Sequence, residues 1–266
     1  MGKTSRRIGR LETEKKLVME KDDYIYGTRA VIEAINTGKT VEKVFIKTGL
    51  NNELYQQLLS LIKENEIAFQ FVPLEKINRI TRKNHQGVVA FISPIEYTNI
   101  EMLLPVLFET GKEPLLLILD QITDVRNFGA IVRSAECAGV HAVIIPEKGM
   151  AQIGADAIKT SAGAIHHLPI CKVNNLLRTI HYLKDSGIQI VAATEKAVKM
   201  YTQGDFKSPV AIVMGSEESG ISQSILNIAD QQLKIPLLGN IESLNVSVSA
   251  ALMMYEAIRQ RNYSST

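Results

Sequence analysis

Hydrophobic spacing changes period every few residues between Tyr24 and Tyr97. The run 28–36 (TRAVIEAIN) has helical spacing, 41–47 (VEKVFIK) alternates as a strand, and 52–66 (NELYQQLLSLIKENE) is an amphipathic helix. A strand over 68–73 (AFQFVP), a short helix over 74–81 (LEKINRIT) and a strand over 87–97 (GVVAFISPIEY) follow. Together they predict a small α/β domain over 23–97. Pro105, Gly111 and Pro114 punctuate the next stretch, which predicts an irregular linker over 98–112.

Beyond that linker the strand-sized runs become almost wholly apolar: LLLILD (115–120), HAVIIP (141–146), HLPICKV (167–173), IQIVAAT (188–194), VAIVMG (210–215) and QLKIPLL (232–238). Helical segments separate them. Continuous apolar strands alternating with helices predict a parallel sheet covered on both faces, in a second α/β domain over 113–266. Ligands in such sheets sit outside the carboxyl ends of the strands, so the loops that follow them are where chemistry belongs.

Three of those loops hold residues that packing alone does not demand. After Asp120 a polar loop leads to a helix predicted over 128–138, with Asn127 at its start and Arg133 within it. An N-cap accounts for Asn127, and a solvated side chain for Arg133, as readily as a site does. The strand 210–214 runs into Gly215, Ser216 and Glu217, where glycine would let a ligand approach the backbone closely; taken alone, the stretch reads more simply as a turn. No G-x-G-x-x-G or G-x-x-x-x-G-K-[ST] pattern is present, which argues against the usual dinucleotide and phosphate-loop folds. The last strand is predicted to end near Leu238 and the final helix to begin between Ser243 and Asn245, with Ala250, Ala251, Met254, Tyr255 and Ile258 on its apolar face. Ser243, Asn245, Ser247 and Ser249 exceed what capping needs, though a tightly packed helix start would also use them.

Composition narrows the class. The chain of 266 residues is 45% hydrophobic and 22% charged, as folded globular proteins are, and no run approaches the ~18 apolar residues of a membrane span. Cys137 and Cys171 lack metal or redox spacing and read as reduced core residues, which together with the missing export signal predicts a cytoplasmic protein without a metal. The net charge of +2 conceals an asymmetry: the basic tail predicted over 1–22 carries seven Lys/Arg against three Glu through Lys21. Such a tail fits either a polyanion-binding arm or a solvated end. Arg79, Arg82, Lys83, Asn84, His85 and Gln86 crowd before the strand at 87–97, either as a charged turn or as an RNA-facing loop, with cations on phosphates and amides on bases.

Taken in order, NFGAIVRSA (127–135), VMGSEESG (213–220) and IPLLGNIESLNVSV (235–248) resemble the SpoU (TrmH-type) branch of the SPOUT RNA methyltransferases. The first domain resembles the L30e-like substrate-binding domain carried by the ribosomal-RNA members. The resemblance implies an S-adenosylmethionine-dependent enzyme methylating a ribose 2′-hydroxyl, most closely that of a guanosine in 23S rRNA. A tRNA methyltransferase and a noncatalytic RNA-binding assembly protein of the same fold are the alternatives. It also implies a homodimer and a deep C-terminal trefoil knot, which hydrophobic patterns would not suggest because knots are so rare.

By the same resemblance Gly215, Ile235 and Leu244, with Thr194, Ser216 and Leu238 nearby, bind the cofactor, largely through backbone groups. Asn127, Arg133, Glu217, Ser243 and Asn245 form the catalytic set. Displacement at a sulfonium methyl needs a nucleophilic ribose oxygen, and deprotonating a hydroxyl some six units above ambient pH costs about 8 kcal/mol. Arg133 matches the arginine assigned that role, but a guanidinium is a poor base, so it is expected to stabilise developing oxyanion charge or grip the adjacent phosphate. Asn127 would position ribose or phosphate, Ser243 and Asn245 would orient nucleotide and cofactor, and Glu217 would organise its loop by pairing with an arginine.

Overall fold

A computed structural model describes residues 24–262 apart from 152 and 242; the basic tail read at 1–22 lies outside the described residues. The chain divides into two compact units between Pro94 and Ile95.

In the first unit strands β1 (Tyr24–Tyr26), β2 (Val41–Lys47), β3 (Phe69–Val72) and β4 (Val88–Ile92) form a sheet in the order β1-β4-β2-β3. β4 runs antiparallel to both neighbours, and β2 pairs parallel with β3. Helices α1 (Thr28–Asn36) and α2 (Glu53–Glu64) cover one face, where Val31, Val44, Ile46, Leu58 and Ile62 are buried together. The Asn52 side chain starts α2 by accepting the Tyr55 amide at 2.8 Å. The short α3 (Leu74–Ile80) covers the other face through Ile77, against Phe45, Val72 and Phe91.

The second unit begins earlier than the sequence suggested. Ile95 is buried and Tyr97 packs in its core, and the stretch read as an irregular linker holds α4 (Ile100–Glu109). Ile100, Leu103, Leu104 and Leu107 repeat at helical spacing and pack into the core, so the helix forms in spite of Pro105. Strands β5 (Leu115–Leu119), β6 (Ala142–Pro146), β7 (Ile170–Val173), β8 (Gln189–Ala193), β9 (Lys199–Met200), β10 (Val210–Met214) and β11 (Gln231–Lys234) pair in the order β7-β6-β5-β10-β8-β11-β9. Every pairing is parallel, as the apolar runs required.

Helices α5 (Val125–Cys137), α6 (Ala155–Thr160), α7 (Leu176–Asp185), α8 (Gln223–Leu226) and α9 (Val246–Asn262) complete the unit. One core cluster joins α5 and α9 to the sheet, with Phe128, Ile131, Val132, Ala250, Met253, Met254 and Ala257 buried. The apolar face of α9 is therefore rotated from the sequence reading, leaving Tyr255 exposed. Cys137 is exposed too, two residues past the buried Ala135; only Cys171 is a core residue. Gly129 lets α5 approach α6, since a Cβ there would come within 2.7 Å of Thr160 Cβ and 3.0 Å of the Ala157 carbonyl.

Candidate functional site

The four central strands end in step. Met214 of β10 pairs with Leu119 of β5, Val213 with Ala192 of β8, and Leu233 of β11 with Ala193. The segments leaving them therefore meet at one edge of the sheet, at a concavity of about 390 Å³. Thr194, Gly215, Ser216, Glu217, Ile235, Ser243 and Leu244 from the sequence reading all line it. Leu238 does not: β11 ends at Lys234 rather than near Leu238, and that side chain is 98% exposed.

Asp124, not Asn127, caps α5, accepting the amides of Arg126 at 2.7 Å and Asn127 at 3.3 Å. Asn127 thus lies inside the first turn with its side chain free for other bonds. Its Nδ2 donates to Glu217 Oε1 at 3.2 Å, and its Oδ1 accepts from Asn245 Nδ2 at 2.9 Å. Asn245 Nδ2 also donates to Glu217 Oε1, at 2.8 Å, and the Val246 amide adds a third bond to that oxygen at 3.2 Å. Glu217 organises its loop, but through two asparagines and the amino end of α9 rather than through an arginine; negative charge is favoured at that end. Asn245 Oδ1 meanwhile accepts the Ser247 amide at 3.0 Å, so one side chain both starts α9 and joins the network.

The Gly215–Gly220 loop is held from several sides. Ser216 and Gly220 exchange backbone bonds of 3.1 and 2.9 Å, and Ser216 Oγ accepts the Ser219 amide at 3.0 Å. Buried Asp120 accepts the Ser222 amide at 2.8 Å. A Cβ on Gly215 would collide with the backbone of Gly220 and Ile221. Glycine is thus required here by the chain's own close approach in the turn, one of the two readings that the sequence left open.

Arg133 stands apart. It is exposed, does not line the cavity, and has no hydrogen-bond or ion-pair partner among the described residues. Six residues beyond Asn127 on one helix, it projects about 120° away around the axis. Sequence reasoning passed over Lys196, Glu195 and Glu218, which also line the cavity. The first two follow β8 directly, where the carboxyl-end rule could have found them.

In the first unit Arg79, Arg82, Lys83 and Gln86 are exposed, and the Lys83 ammonium sits 5.5 Å from the Tyr26 ring centroid. His85 does not face outward with them. It is buried, its Nδ1 accepts the Gly87 amide at 3.0 Å, and Nε2 thereby carries the proton that it donates to Asn78 Oδ1 at 2.9 Å. That ring fixes the loop from inside.

Comparison with known proteins gives two family matches: the SpoU rRNA Methylase family over residues 114–255, and RNA 2′-O ribose methyltransferase substrate binding over residues 24–98. The YacO protein of Bacillus subtilis, named as a TrmH family tRNA/rRNA methyltransferase, is 35% identical over 91% of this chain and 98% of its own. A protein of the same family name from Staphylococcus saprophyticus is 39% identical over 90% of this chain and 96% of its own. The solved structure of the SpoU methyltransferase AviRb from Streptomyces viridochromogenes, in complex with the cofactor AdoMet, shares the fold with a TM-score of 0.58 over 91% of each chain, at 23% identity.

Proposed function

Because this chain belongs to the SpoU rRNA Methylase family, we propose that it methylates a ribose 2′-hydroxyl of RNA with S-adenosylmethionine as donor, its target a guanosine of 23S rRNA. One observation carries the reading: Asn127, Glu217 and Asn245, far apart in sequence, form a single hydrogen-bonded network beside the cavity at the carboxyl ends of the strands.

The cavity suits the donor. Its volume of about 390 Å³ falls within the ~300–1,000 Å³ of small-molecule sites. Leu237 and Leu244 offer apolar surface to a purine, while Ile235 and Leu237 lie outside any strand or helix, with backbone groups free of a ladder. When bound, S-adenosylmethionine supplies a methyl group on a positively charged sulfur. The chain itself must hold the 2′-oxygen in line and ease the loss of its proton, assistance worth ~10²–10⁴-fold in rate. Asn127 positions the ribose or its phosphate, and Ser243 and Asn245 orient the nucleotide. Arg133 stabilises the developing oxyanion or grips the adjacent phosphate, which serves as the proton acceptor.

Arg133 reaches this role from a second copy of the chain. Its direction away from Asn127 supports that arrangement, as does the exposed apolar stripe of Val248, Leu252 and Tyr255 on α9. The last helix, α9, we read as tucked through an earlier loop in a trefoil knot, a reading supported by the bonds that tie Asn245 and Val246 at its start to Glu217 of the Gly215–Gly220 loop. Arg79, Arg82, Lys83 and Gln86 contact the RNA from the first unit, and deleting residues through 94 is expected to cost RNA affinity while sparing cofactor binding. Calorimetry with S-adenosylmethionine, followed by mapping of ribose methylation in large-subunit rRNA and in tRNA, tests the whole reading. Binding with methylation of rRNA supports it, methylation of tRNA alone moves the target, and absence of binding refutes it.

A further inference from the structure

Lys196 has no role in the chemistry above, yet it lines the cavity in the turn after β8. Its amide makes a weak 3.4 Å bond to Thr194 Oγ1, and its side chain has no partner among the described residues. This is unexpected on electrostatic grounds. Glu195, Glu217 and Glu218 line the same cavity, and none of them forms an ion pair with Lys196. Glu217 Oε1 is occupied by Asn127, Asn245 and the Val246 amide. Those donors are neutral amides, so the lining presents one ammonium and three carboxylates to whatever enters, with Glu195 and Glu218 outside the network.

A ligand complementary to that arrangement carries both signs of charge, with positive in excess. S-adenosylmethionine has a carboxylate, an ammonium and a sulfonium; its demethylated product keeps the first two and loses the sulfonium charge. We propose that Lys196 binds the α-carboxylate of the donor's methionine part, and that Glu195 and Glu218 favour the charged donor over its neutral sulfide product. This rests on the cofactor assignment above. A lysine suits the task, because its compact charge on a flexible stem can follow a mobile tail. Product release then gains from the same carboxylates: once the methyl has left, the attraction to the sulfonium is gone.

The test is calorimetry without RNA, on the full chain, with S-adenosylmethionine, S-adenosylhomocysteine and decarboxylated S-adenosylmethionine. Lys196→Ala is expected to weaken S-adenosylmethionine and S-adenosylhomocysteine roughly tenfold while leaving the decarboxylated donor within twofold, and Lys196→Arg to restore most of the loss. Glu218→Gln should narrow the preference for donor over product roughly threefold, an effect that shrinks in high salt. Equal losses on all three ligands in Lys196→Ala, or no loss on any, would overturn the assignment of Lys196 alone. An unchanged donor-to-product ratio in both Glu218→Gln and Glu195→Gln would overturn the role of the carboxylates. Wild type that binds none of the three overturns the cofactor assignment itself.

Discussion

Glu217 Oε1 accepts three bonds, one from α5 and two from the start of α9, so the loss of any donor is felt by the others. Asn245 matters most among them, because it also caps α9. Asn245→Ala is expected to weaken both cofactor binding and turnover, with turnover falling at least tenfold; unchanged kinetics would remove it from the site. Arg133 is the opposite case, an exposed side chain with no partner among the described residues. Arg133→Ala should abolish methyl transfer while cofactor affinity, measured by calorimetry, stays within a few-fold. Folding stability should not change, since surface substitutions away from packing cost within about 0.5 kcal/mol.

Helices and strands were read from spacing wherever the core decided the spacing, as in α2 and β10, and were misread where a local signal competed. In α4 Pro105 lacks only one backbone donor, directed at a turn begun by the exposed Glu101, and four leucines and isoleucines outweigh that loss. At α5 the sequence offers Asn127 as the cap, and the structure shows that Asp124, three residues earlier, takes the amides and releases Asn127. The network itself could not be read from spacing, because its members are brought together by strand order; the family resemblance found them first. At the far end of α9, Arg261 donates to the carbonyls of Phe206, Glu113, Pro114 and Ser208 at 2.7–3.1 Å, clamping the helix to the starts of β5 and β10. Arg261→Ala should cost about 1.5–3 kcal/mol in chemical denaturation, the range for bonds that involve a charged group. Beside it burial, with Lys112 and Arg261, holds the His141 ring below its ordinary value. The unfolded chain therefore takes up this proton more readily than the folded one. Stability contributed by the neutral ring is complete above pH 6.5 and is lost as pH falls through the lower folded value. Thermal unfolding followed between pH 7.5 and pH 5, conditions chosen at about one unit or more around the imidazole range, should show Tm falling with acid, and His141→Gln should flatten that slope.

For the whole molecule, the proposal needs two copies. Val248 is 48% exposed, Leu252 37% and Tyr255 51%, at helical spacing on α9. Burying such a stripe is favourable at about 25 cal/mol per Å² of apolar surface. Leu252→Glu should convert a dimer into monomers in sedimentation velocity and lower methyl transfer by withdrawing Arg133 from its partner; a wild type that sediments as a monomer at working concentration would contradict this. The family match and the cavity converge on one central claim, that this chain places a methyl group on the ribose of RNA. The most direct measurement is mass spectrometry of nucleosides from RNA incubated with the protein and S-adenosylmethionine labelled in its methyl group. The account predicts label on a ribose 2′-oxygen with wild type and none with Arg133→Ala; label on a base, or equal labelling by both proteins, would contradict it.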